Sequence, residues 1–115
     1  MSKTFALYDA ALGNRRVGTF RYSAADKRFS LTIFDDIPLK DLPLSLDGYV
    51  RQGKYELGHE DTLDWVRGRI CPPGRQNIDS ILLDLGLAEY DEMALLSYTG
   101  GHCDKDELYL TETAD

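Results

Sequence analysis

The spacing of apolar side chains changes once along this chain, from every second residue to every third or fourth. Across residues 17–22, Val17, Thr19 and Arg21 stand opposite Gly18, Phe20 and Tyr22, and across residues 28–33, Phe29, Leu31 and Ile33 share one side. A period of two is that of a half-buried strand. From residue 63 the interval lengthens: Leu63, Val66 and Ile70 fall at i, i+3 and i+7, and Ile78, Ile81, Leu82 and Leu85 at i, i+3, i+4 and i+7. That is the stripe of a helix with one buried face. A chain that forms strands first and helices afterwards buries both apolar faces by laying the helices on the sheet. The expected fold class is α+β, a small antiparallel sheet covered on one side by about three helices.

Punctuation sets the elements. Residues 5–8 begin a strand, and Gly13 and Asn14 turn it into the strand at 17–22. A polar turn at 23–27 leads to the third strand. Residues 34–58 carry too many prolines and glycines for a long helix. Within them Leu42, Leu44 and Leu46 fall on one face of an extended segment, which Pro43 would confine to a sheet edge. Glu60, Asp61 and Asp64 open the first long helix, Arg67 and Arg69 lie near its end, and Pro72, Pro73 and Gly74 stop it. Gly86 suits a left-handed cap after the second helix, in which Ile81 and Leu82 should both be buried. Asp91 caps a third, with Ala94, Leu95 and Tyr98 inward and Gly100 and Gly101 at its end. Residues 107–111 alternate as a last strand, and 111–115 should fray.

The 115 residues suffice for one domain spanning 1–115. No apolar run approaches the roughly 20 residues of a membrane span, and the first residues lack a signal-peptide pattern, so a cytoplasmic protein with reduced Cys71 and Cys103 is expected. Net charge is −7, and it is unevenly placed. Residues 1–78 hold 12 basic and 10 acidic side chains, +2 in all, whereas residues 79–115 hold Lys105 against 10 acids, −9. Such a balance argues against direct nucleic-acid binding, which needs clustered cations. The acidic third is either a solvated face or a field that steers a basic protein partner.

Catalytic patterns are missing from the sequence. No glycine-rich loop leads into Gly-Lys-Ser/Thr, and no Cys-x-x-Cys or His-x-x-x-His pair supports a metal. His102 and Cys103 are adjacent, and adjacent side chains on an extended segment point apart. The expectation is a non-catalytic protein with no cofactor, metal, small-molecule substrate or membrane partner. Trp65, the sole tryptophan, lies off the centre of its helix's apolar stripe. It is either a core residue at the stripe's edge or an anchor for a protein partner, since Trp and Arg are enriched among interface hot spots. Arg67, Arg69 and Arg75 would complete that partner-binding patch.

Taken in order, these segments resemble the N-terminal subdomain of HipA-type toxin kinases. The correspondence runs through the strand at 17–20, Phe29 to Leu31, the Leu-Pro-Leu-Ser-Leu segment at 42–46, the helix from Trp65 to Pro72, and Arg75. It continues through the helix at 78–86, Asp91 with Leu95 and Leu96, Gly100 and Gly101, and Leu108 to Leu110. The kinase machinery of that family lies in a larger C-terminal domain, and nothing here corresponds to it. The resemblance therefore implies a stand-alone, HipS-like antitoxin of a split system, docking on a HipA-like serine/threonine kinase that lacks this subdomain. It further implies that Trp65 inserts into or near the kinase cleft. The competing class is a small acidic phage-type inhibitor, such as an anti-CRISPR or other anti-defence protein, acting by charge mimicry. A neighbouring gene for a kinase without this subdomain would discriminate between them.

Overall fold

The structure is a computed structural model, and it describes residues 2–70, 78–103 and 106–113. Five antiparallel strands form one open sheet: β1 (Ser2–Asp9), β2 (Arg15–Ser23), β3 (Arg28–Ile33), β4 (Glu56–Leu57) and β5 (Leu108–Glu112), in the order β4-β3-β2-β1-β5. The described helices are α1 (Leu44–Arg51), α2 (His59–Arg67), α3 (Ile78–Asp84) and α4 (Glu92–Thr99). The α+β architecture is the one that the change of period predicts, with one helix more.

Register explains which face is covered. Phe5 pairs with Phe20 and Phe20 with Leu31, while Leu7 lies opposite both Gly18 and Leu110. These residues therefore share a face, and on it Leu7 and Phe20 are fully buried. The helices lie against this face: Trp65 of α2 packs 6.1 Å from Phe20 between ring centroids, and Leu46, Val66 and Leu96 from three helices are fully buried in the same core. The other face presents Thr4, Ala6, Thr19, Arg21, Ser30 and Thr32, which follow from the same pairings.

Several local expectations hold and several are corrected. Asp91 caps α4 by accepting from Ala94 N at 3.0 Å. Helix α3 ends in a left-handed turn at Gly86, φ 71, with Leu87 N donating to Leu82 O and Gly86 N to Leu83 O. The expected extended edge at 42–46 is instead the start of α1, with Pro43 as its N-cap. Pro lacks the N–H that a first turn would leave unused, and its φ of −68° is already set. Leu46 and Val50 then turn inward at i and i+4, which leaves Leu44 outside.

In α3, Ile78 is buried while Ile81 and Leu82 are only half-buried, because this helix lies at the margin of the layer. In α4 the inward residues are Met93, Leu95 and Leu96, and Tyr98 is 65% exposed. Met93 and Leu96 line one hollow with Phe5 and Leu110, and Leu95 lines another with Ile70 and Ile81. The strand β5 runs to Glu112 and Thr113 N bonds to Thr4 O, so pairing continues into the stretch expected to fray; residues 114–115 lie outside the described residues.

Candidate functional site

The most constrained polar group in the described structure is an ion pair buried where α1, α2 and β5 meet. Arg69 follows the C-terminal end of α2, and Asp106 precedes β5. The guanidinium donates twice to the carboxylate, Nη1 to Oδ2 at 2.8 Å and Nη2 to Oδ1 at 2.6 Å, with the two side chains 2% and 4% exposed. Arg69 Nε donates to the Gly101 carbonyl at 2.9 Å, and its carbon lies 4.5 Å from the centre of the Trp65 ring. Gly101 adopts φ +82°, and a Cβ there would meet Leu110 Cγ at 2.9 Å, so glycine alone brings that carbonyl within reach.

Asp106 is fully engaged in turn. It accepts from Ser45 Oγ at 2.7 Å and from Leu108 N at 3.1 Å, and Cys103 Sγ lies 3.8 Å from Oδ1. Burial pushes its carboxyl up, but the hydrogen bonds from Arg69 and Ser45, the Arg69 charge and the Leu108 N–H outweigh that and hold it below the usual carboxylate range. A buried pair is tolerable only when its remaining hydrogen-bonding capacity is satisfied in this way. The cluster therefore pins α1, α2 and β5 to one another.

Beside it opens a cleft. Trp65, Arg69 and Asp106 line it, together with Ser45 and Tyr49 of α1 and Asp64 of α2. Tyr49 donates to the Asp61 carbonyl at 3.3 Å, and burial together with the Asp61 and Asp64 charges raises its hydroxyl pKa, so it remains a neutral donor. Leu44, on the rim at the first turn of α1, is 88% exposed. Trp65 Nε1 is buried with no hydrogen-bond partner.

Of the residues expected to bind a partner, the fold brings Trp65 and Arg69 together and turns Arg67 away. Trp65 is 5% exposed, so the exposed anchor gives way to the core reading: α2 turns so that Thr62, Trp65 and Val66 are its buried centre. Arg69 is buried beneath the cleft. Arg67 points to α4 and pairs with Glu92 at 3.3 Å, apart from the other two. Arg75 lies outside the described residues. The sequence assigns no site role to Leu44, Ser45, Tyr49 or Asp106; the one local signal for α1 is Pro43 immediately before Leu44.

Other chemistry-bearing side chains serve packing. His59 Nδ1 accepts from Phe29 N at 3.1 Å and its ring stacks on Phe29, whereas His102 stacks on Tyr109. Among the described residues no group of three or more His, Cys, Asp and Glu side chains is arranged to hold a metal ion, and no helix is long and apolar enough to cross a membrane. No protein-family model, no curated protein sequence and no solved structure matches this chain.

Proposed function

We propose that this chain is a non-catalytic protein-binding module, a cytoplasmic antitoxin that docks on a HipA-like serine/threonine kinase lacking this subdomain and blocks it sterically. The observation that carries the binding reading is Leu44. A leucine 88% exposed on the rim of a cleft with an aromatic floor is a side chain that a partner can bury, and burying it fully is worth about 1.5–3 kcal/mol. The floor is preorganised by the Arg69–Asp106 cluster, so docking need not order it. In this reading the partner inserts a side chain over Trp65, which revises the idea that Trp65 itself is inserted.

The kinase as partner rests on the order of motifs that the chain shares with HipA-type N-terminal subdomains. Charge mimicry draws less support, because three acids of the C-terminal third are spent internally: Asp106 on Arg69, Asp91 on the α4 cap and Glu92 on Arg67. The test is calorimetric titration of the chain into a HipA-like kinase that lacks this subdomain, together with an autophosphorylation assay. Wild type should bind and inhibit. Leu44→Asp should fold normally, since Leu44 contributes nothing to the core, and should lose at least tenfold in affinity. Failure of the wild type to bind, or full affinity in Leu44→Asp, would refute the proposal.

A further inference from the structure

The helix-free face of the sheet has a charge opposite to that of the whole molecule. Pairings Tyr8↔Arg16, Thr4↔Arg21 and Ser23↔Arg28 place all three arginines on that face, and Thr32↔Glu56 places one acid there. The chain as a whole is at −7. Arg21 and Arg28 are exposed and have neither hydrogen bond nor ion pair among the described residues. Because Arg21 lies opposite Ser30 and Arg28 opposite Ser23, the two are diagonal neighbours, about 7–8 Å apart in an antiparallel ladder. Like charges carried on neighbouring positions repel. Their cross-strand neighbours Thr4, Ser23 and Ser30 bring hydroxyls and no carboxylate.

We propose that this face is a second docking surface, for an acidic segment of a protein partner whose carboxylates are gripped by Arg21 and Arg28. Charge complementarity supplies the attraction, and arginine supplies a planar fork that binds a carboxylate bidentately. A nucleic acid offers anions too, but the centre of the face is the buried pair Ala6 and Thr19, and the rings beside it are already engaged, Phe34 beneath the Arg16 guanidinium. Tyr8 and Tyr109 stand at the end of the face and are stacked on each other at 5.4 Å. A second copy of the chain would have to present its acidic side to this face, a head-to-tail contact that builds rings or filaments instead of a two-fold dimer.

The surface is separate from the cleft beside Leu44, so its fate is independent of the kinase proposal. The test is fluorescence anisotropy of a labelled octaglutamate peptide with the full chain at about 10 mM ionic strength, where charges interact over about 30 Å. Octaglutamine, an oligothymidylate of equal charge, and the Arg21→Glu, Arg28→Glu and Lys40→Glu variants are measured alongside, with circular dichroism to verify folding. The proposal expects octaglutamate to bind and octaglutamine not to, with each arginine variant about tenfold weaker and Lys40→Glu, the same charge change elsewhere, as wild type. It is overturned if octaglutamate fails to bind, if Lys40→Glu weakens binding as much as the arginine variants, or if the oligothymidylate binds more tightly than the peptide. Concentration-dependent self-association that Arg21→Glu abolishes would also overturn it, in favour of a second copy.

Discussion

Arg67 and Arg69 stand two residues apart at the end of one helix, and the protein uses them in opposite ways. Arg67 makes a single 3.3 Å contact to Glu92 with its side chain 58% exposed. Arg69 makes two short bonds to Asp106, a third to Gly101 and a face contact with Trp65, with its side chain 2% exposed. An exposed pair exchanges one hydrated state for another of similar free energy, whereas a buried pair holds its surroundings in one arrangement because either charge alone would be stranded. Neighbouring positions of one residue type therefore differ in role by burial and partners, not by charge.

Breaking the buried side should cost most. Asp106→Ala strands the Arg69 guanidinium and should destabilise the fold by about 3–5 kcal/mol in urea denaturation. Trp65→Ala removes the ring beneath that guanidinium and against Phe20, and should cost a comparable ~3–5 kcal/mol. Acidification attacks the same pair. A carboxyl held below its ordinary value stabilises the fold above the unfolded pKa of about 3.9, and that contribution is lost as pH falls through the lower folded value. A pH series of thermal melts should thus show wild type losing its advantage over Asp106→Asn below about pH 4.

Smaller effects sharpen the contrast. Trp65→Phe keeps most of the buried area and deletes the unpartnered Nε1–H, so it should change stability by less than about 1.5 kcal/mol. Arg67→Ala should fall within about 0–1 kcal/mol, and that small cost should shrink further in high salt. An Arg67→Ala cost equal to that of Asp106→Ala would dissolve the comparison.

What was legible in the sequence was what neighbours encode. The strands at 17–33, the Asp91 cap and the glycine ends of α3 and α4 depend on residues a few positions apart, and each is present in the structure, although Val17, expected on the side of Thr19 and Arg21, joins the core where a bulge interrupts β2. Helix α1 was hidden because leucines at 42, 44 and 46 mimic a strand, and its short length leaves Leu46 and Val50 as a weak helical signal. The burial of Trp65 depends on how α2 is rotated against Phe20, which is a tertiary matter. The fate of Arg69 was beyond local reading altogether, since its carboxylate lies 37 residues on and its carbonyl acceptor 32.

The claim that a partner seats on the cleft over Trp65 is open to one direct measurement. With a single tryptophan in the chain, 5-fluorotryptophan labelling gives one ¹⁹F resonance from Trp65. Titration with a HipA-like kinase lacking this subdomain should shift that resonance and saturate at one kinase per chain. A resonance that stays in place while an independent probe shows binding complete would contradict the account.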